Sequence, residues 1–167
     1  LAMLLAFNST IPGLPIIYYG DEIGNPGGGD PDNRRPMYFT GLSEHETENL
    51  ATTQKLGQLR SQFLPFIYGD FTFLKIEQKI LVYSRKYFEE FAIVYFNKTR
   101  ETQTIEVTLP QHVDYSELQS FSQCRYYLRN SQLFVEIPAM CFEIIYHKLP
   151  EKTTPTSTVI HYEDFLD

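Results

Sequence analysis

Acidic side chains, asparagines and glycines crowd the stretch from residue 20 to residue 41, and chemistry is sought there first. Asp21 and Glu22 are adjacent carboxylates. A pair that cleaves a glycosidic bond with retention faces across it at about 5–5.5 Å, whereas neighbours at a strand end point to opposite faces. They are not such a pair. Gly24 and the run Gly27-Gly28-Gly29 have neither the GxGxxG spacing nor a following Lys, so they read as turn chemistry rather than a phosphate cradle. Asp30-Pro31-Asp32-Asn33 opens like an EF-hand, but Arg34 takes a ligand position and Arg35 stands where the loop needs Gly. The four histidines form no HExxH and no serine lies in GxSxG. No catalytic residue, no nucleophile–base constellation and no metal ligand set is read in this chain. Cys124 and Cys141 fall in neither a CxxC nor a Cys/His cluster, which argues against zinc. Free thiols, buried or half-buried, are the expectation, with a disulfide left open. Asn8-Ser9-Thr10 and Asn97-Lys98-Thr99 match the glycosylation sequon and are read as chance.

These residues need elements to position them. Residues 1–8 have the look of a helix end that is apolar nearly all round, which implies burial on several sides. The breakers Asn8 to Gly13 follow. Leu14-Pro15-Ile16-Ile17-Tyr18-Tyr19 is a continuous apolar run, the pattern of a parallel strand covered on both faces. After the polar loop, Ser43 and Glu46 spell a capping box. Leu50, Leu56, Leu59 and Phe63 continue at helical spacing, and Pro65 is expected to close the segment. From Gly69 the pattern changes to short strands at 71–76, 80–85, 91–96, 104–109, 125–129, 132–137 and 141–147. Asn130-Ser131 serves as a tight hairpin turn. Residues 91–96 do not alternate and should form a central strand; Leu133, Val135 and Ile137 alternate with Phe134 and Glu136, the signature of a half-buried one. Seven such segments without an intervening helix indicate an antiparallel sandwich. Residues 150–167 open with a linker-like composition.

With 14 Lys and Arg against 21 Asp and Glu, the 167-residue chain carries a net charge of −7. That balance, with Arg34-Arg35 the only dense basic run, argues against nucleic acid as a partner. No apolar run approaches the roughly 20 residues that span a bilayer. A 43% hydrophobic share excludes a disordered chain. The 12 Tyr and 13 Phe without any Trp lean the composition toward β structure. The apolar start at Leu1 has no initiating Met and no basic n-region, so it reads as a fragment or a processed product rather than a signal peptide.

The run from Ile11 to Gly24 (IPGLPIIYYGDEIG) resembles the eighth barrel strand of the alpha-amylase family of glycoside hydrolases. Gly29 to Met37 (GDPDNRRPM) resembles the loop that follows it. The likeness is strongest to neopullulanases, cyclomaltodextrinases and related bacterial amylases. Leu56-Gly57-Gln58-Leu59-Arg60 is similar to the last barrel helix, and the strands from about residue 69 to the C-terminal domain. The resemblance implies a mostly β fold: residues 1–65 as the incomplete last βα unit of a (β/α)8 barrel, 66–149 as an antiparallel β-sandwich, and 150–167 as a tail. It further implies a retaining enzyme acting on α-glucans or maltooligosaccharides, whose three catalytic carboxylates lie on earlier strands, leaving this chain alone inert. In the family an Asp and an Arg four residues apart in this loop hold glucose units; Asp30 and Arg34 match, and the alternative is that Arg34 pairs with Asp30 or Asp32 and stiffens the loop. No cofactor is expected; a structural calcium in the parent enzyme is left open, and no spacing here supports it. The orphaned segment is expected to be sheltered, against the sandwich or by exchange with a second copy in a homodimer. The rival reading is a non-catalytic β-sandwich module binding carbohydrate or protein, against which the lack of Trp counts.

Overall fold

A computed structural model describes residues 1–109 and 117–149; the expected tail at 150–167 lies outside the described residues. The strand without alternation organises it. In β3 (Glu90–Asn97) every side chain from Phe91 to Asn97 is buried. It is paired antiparallel along its length with β2 (Ile80–Tyr87) and β8 (Cys141–His147), Val94 lying opposite both Tyr83 and Ile144. β1 (Asp70–Ile76) and the two-residue β5 (Gln119–Ser120) complete a five-stranded sheet in the order β1-β2-β3-β8-β5. β4 (Gln103–Thr108), β7 (Gln132–Ile137) and β6 (Tyr126–Arg129) form a three-stranded sheet in the order β4-β7-β6. All pairs are antiparallel.

Phe91, Ile93 and Tyr95 pack with Ile105, Val107, Leu133, Val135 and Ile137 between the two sheets. Ala92, Val94 and Phe96 point the other way and pack with Leu5, Ala6, Leu56, Phe63 and Phe66. The sandwich therefore has a third layer, built from α1 (Ala2–Thr10), α2 (Glu44–Gln62) and α3 (Leu64–Tyr68). Each large apolar side chain buried this way contributes about 1.5–3 kcal/mol, so the helices and the outer face of the sheet share one core.

All seven expected strands are present, and β7 alternates as its sequence requires. Asn130 and Ser131 both adopt left-handed φ, at 50° and 63°. A two-residue turn of that hand matches strand twist and sets Arg129 opposite Gln132. Ser43 caps α2 through the Glu46 N–H while the Glu46 carboxylate accepts from the Ser43 N–H at 2.7 Å. β5 carries no apolar pattern and was not legible.

Three expectations are corrected. Pro65 does not end the helix; Phe63 breaks it at φ −128°, and Pro65 sits in the first turn of α3, where no N–H is needed. The helix at 1–8 is not buried all round: Leu5 and Ala6 face the sheet while Leu4 is 71% exposed. The run 14–19 is not a strand. A parallel strand requires neighbours on its edges, and every described strand is paired elsewhere; Leu14 is 90% and Ile16 82% exposed. The sheltering expected of the N-terminal segment thus holds for α1, against its own chain, whereas the described residues of that chain leave 14–19 uncovered. Both cysteines are free and half-buried, and burial pushes the Cys124 thiol up to about 12. Asn97 is fully buried, its amide donating to the carbonyls of Glu101, Ile137 and Pro138, so this sequon asparagine is a structural strut.

Two side chains fasten the end of α1, one from the sheet and one from α2. The last carbonyls of a helix lack intrahelical partners, and here guanidiniums supply the donors. Arg85 of β2, 1% exposed, donates to Thr10 O at 2.6 Å, to Gly69 O at 3.0 Å and to Asp70 O at 3.3 Å. Arg60 of α2 donates to Ser9 O at 2.7 Å, to Ile11 O at 3.3 Å and also to Gly13 O. At Gly69, where α3 turns into β1, a Cβ would run into the carbonyl oxygens of Pro65 and Lys86. The close passage of these three segments leaves room only for glycine. Arg85→Met, which keeps the stem and strips three carbonyls of their donor, should cost about 3 kcal/mol or more in a denaturant titration. Arg85→Lys should recover only part of this, because an ammonium lacks the planar fork. A loss within about 0.5 kcal/mol, the usual range for surface changes, would show that the arginine does not hold the layers.

Candidate functional site

Between Tyr18 and Phe39 the chain makes a loop anchored to α2 at both ends. On the entering side, Asn49 Nδ2 donates to Ile23 O at 3.3 Å and Thr53 Oγ1 to Glu22 O at 3.4 Å; Ile23 itself is buried. On the leaving side, the Tyr38 hydroxyl donates to the Glu46 carboxylate, already engaged in the capping box. That bond, ahead of those from Ser43, holds the Glu46 carboxyl below its ordinary range. Asp21 and Glu22 are spent locally, accepting from the N–H groups of Tyr18 and Gly20 at 3.3 and 2.7 Å. The two carboxylates cap a turn and do not face one another.

At the tip, a single turn of 3-10 helix spans Asp32–Arg34. Asp32 is its hub: its carboxylate accepts from Gly28 N–H at 2.9 Å and from Arg35 Nε at 2.9 Å. Gly27 must be glycine for this closure, since a Cβ there would lie 2.9 Å from Asn33 Cα and 3.2 Å from Asp32 O. The Gly28 hydrogen bond first, and then Arg35, hold the Asp32 carboxyl below the usual aspartate range. Within this clasp Asp30 and Arg34 meet at 2.7 Å, their side chains 60% and 67% exposed. The sequence allowed Arg34 to pair with Asp30 and stiffen the loop, and the two do pair. It left Arg34 a choice of Asp30 or Asp32, and the structure gives Asp32 to Arg35 at 2.7 Å. The i,i+3 spacing of Asp32 and Arg35 was the signal for that second pair.

Two further residues join the site without having been singled out. The rings of Tyr18 and Tyr19 lie 4.5 Å apart between centroids. The Tyr18 hydroxyl is held above its ordinary range, first by its hydrogen bond with Tyr19, and both Arg34 and Asp30 act on it electrostatically. A cleft of about 300 Å³ opens between the two tyrosines, Asn25–Gly27, Asn33 and Arg35. Asp21 lines this cleft together with Arg35, and Asp30 and Arg34 do not; apolar ring faces near a carboxylate and a guanidinium suit a ligand rich in hydroxyls, because a carboxylate accepts and a guanidinium donates. Among the described residues no group of three or more His, Cys, Asp or Glu could hold a metal ion, and no helix is long and apolar enough to cross a membrane.

Because Asp32's folded-state value is depressed, its clasp contributes stability above the unfolded value, and that contribution is lost as pH falls through the lowered one. Carboxyl NMR should place the Asp32 midpoint below the usual ~3.9. Arg35→Ala should raise it only part of the way, since the Gly28 bond, the larger cause, remains. An Asp32 midpoint at or above the ordinary value would remove the clasp from the account.

Comparison with known proteins bears on this geometry. Residues 69–134 match the model of the alpha-amylase C-terminal domain. A cyclomaltodextrinase of Geobacillus thermopakistaniensis (strain MAS1) is 33% identical over 110 residues, 65% of this chain and 18% of that protein. A cyclomaltodextrin glucanotransferase of Bacillus sp. (strain 38-2) is 35% identical over 104 residues, 61% of this chain and 14% of that protein. Among solved structures, the alpha-amylase of Geobacillus thermoleovorans complexed with acarbose is 32% identical with a TM-score of 0.75, covering 91% of this chain and 33% of that one. The Anoxybacillus alpha-amylase is 27% identical with a TM-score of 0.76, covering 89% and 32%. The chain thus spans less than a fifth of the curated relatives it matches.

Proposed function

The chain is the C-terminal part of an alpha-amylase family enzyme, and from that premise we propose that it carries a sugar-holding loop on a β-sandwich base. The substrate class is α-glucans and maltooligosaccharides, and the chemistry is retaining glycoside hydrolysis with the catalytic carboxylates on earlier strands of the barrel. Residues 1–65 are the barrel's contribution and 66–149 the sandwich domain. The observation that carries this reading is the Asp30–Arg34 pair, 2.7 Å apart and largely exposed, on a loop stiffened by a second pair. An exposed ion pair adds little to stability, so neither side chain is needed there for folding. Both are oriented before a ligand arrives, which lowers the entropic cost of binding one. Asp30 accepts from sugar hydroxyls and Arg34 donates to them, beside the faces of Tyr18 and Tyr19.

The apolar run 14–19 extends this reading to partners. In the isolated chain it leaves Leu14 and Ile16 uncovered, and exposed apolar surface drives association. A second copy that exchanges its N-terminal segment would cover it, making a homodimer. Light scattering on the purified chain should return twice the monomer mass, and a monomer at all concentrations would sink the exchange.

Arg34→Ala, made in the enzyme with its full barrel, should lower kcat/KM on maltooligosaccharides about ten- to a hundredfold, the loss of one charge-assisted hydrogen bond. Its melting temperature should stay within about 2 °C. A fall in stability with unchanged kinetics would mean that the pair only stiffens the loop.

A further inference from the structure

A second groove, sharing no residue with the loop, lies where α2 meets the β5–β8 edge of the large sheet. Its volume is about 250 Å³. Lys55, Gln58, Leu59 and Gln62 line one wall, and positions i, i+3, i+4 and i+7 fall on one helix face. The facing wall comes from Gln119 of β5, Phe121, and Tyr146 and Lys148 at the end of β8, with Gln119 directly opposite Tyr146 in the ladder.

The groove is built on fixed parts. The Lys55 ammonium sits 4.3 Å from the centre of the Phe121 ring and donates to the Phe121 carbonyl, while Phe121 N–H is bonded to Ile144 O at 3.0 Å. The Tyr146 ring is backed edge-to-face by Phe63 at 5.6 Å. An ammonium anchored through one of its three donors keeps two for a ligand and has already lost rotamer freedom that binding would otherwise cost. The carboxamides of Gln58, Gln62 and Gln119 make no hydrogen bond among the described residues. Among the described residues two ammoniums and no acidic group line this groove, on a chain whose net charge is −7. A cleft lined by one sign of charge concentrates the opposite sign.

We propose that this groove binds a phosphate monoester of a hexose. The phosphate oxygens lie between Lys55 and Lys148. The sugar hydroxyls pair with the carboxamides, which donate and accept as hydroxyls do, and the apolar face of the ring rests on Leu59 and Tyr146. The two charges select the ester over a neutral sugar, and the amides and floor select it over a bare anion.

Titration of the 167-residue chain with glucose 6-phosphate, glucose and inorganic phosphate, followed by NMR and calorimetry, tests this. Glucose 6-phosphate should bind about tenfold or more tighter than either of the others, the margin of one charge-assisted hydrogen bond. The side-chain amide signals of Gln62 and Gln119 should move with it. Lys148→Gln should weaken the ester about tenfold, and Gln62→Leu, at an exposed helix position, should weaken it independently. Arg34→Ala should leave it unchanged, so failure here and failure of the loop reading stay distinguishable. Equal affinity for glucose and its phosphate, equal affinity for inorganic phosphate and the ester, shifts confined to other residues, or no binding would each overturn the proposal.

Discussion

The carbonyl end of α1 is the point on which the rest of the structure depends. Ser9, Thr10, Ile11 and Gly13 present oxygens that the helix cannot satisfy itself, and two guanidiniums, from α2 and β2, supply the donors. The negative end of a helix dipole favours cations, which offsets what burial and mutual repulsion cost the two arginines. Burial is the main reason both sit below the usual arginine value, and Arg60 pushes Arg85 further in the same direction. Thr10 adds a neutral link, its hydroxyl bonded to Ala6 O at 2.6 Å and to the Tyr83 hydroxyl at 2.5 Å. Burial pushes the Tyr83 phenol up to about 12, so it stays a neutral partner across the pH range in which proteins fold. Removing α1 would leave Arg85 buried without its shortest contact, and removing Arg85 would leave α1 without its clamp.

From that clamp the functional geometry follows in steps. α1 and α2 share the outer face of the large sheet through Leu5, Ala6 and Leu56. α2, so fixed, holds the loop at both ends through Asn49, Thr53 and Glu46. The loop in turn closes on Asp32, and Asp30 and Arg34 project from it. Backbone amides and neutral side chains share this positioning with the carboxylates of Asp21, Glu22 and Glu46, and ion pairs appear at the tip. The same placement of α2 against β8 opens the lysine- and glutamine-lined groove on its other side, so one helix organises both candidate sites.

Local signals were legible in the sequence wherever a residue's neighbours in the chain decide its conformation. Ser43 with Glu46, the left-handed pair Asn130-Ser131, and the alternation along β7 are of this kind. β3 was legible because six apolar residues in a row, Phe91 to Phe96, leave no polar face. Asp30 and Arg34 were identified through a family likeness and through spacing, and they do meet. What failed needed information from elsewhere in the fold. The apolar run 14–19 reads as a buried strand because its composition presupposes covering surfaces that the described residues do not provide. The one-sided burial of α1 depends on the outer face of a sheet whose strands begin some sixty residues later. Phe63 breaks α2 because its ring is wanted between Phe66 and Tyr146, a demand of packing and not of helix propensity. Tyr18 and Tyr19 looked like core because they belong to that same apolar run.

If the helical layer and the sandwich are one structure, they must open together. Native-state hydrogen exchange measures this directly, since cooperative units share an opening free energy. The amides of α1 and of the middle of α2 around Leu56 should exchange with the same opening free energy as Val94 and Ile144 in the centre of the large sheet. Exchange of both helices at a markedly lower free energy, with the sheet still protected, would contradict the account and make the sandwich a domain to which the helices are only loosely tied.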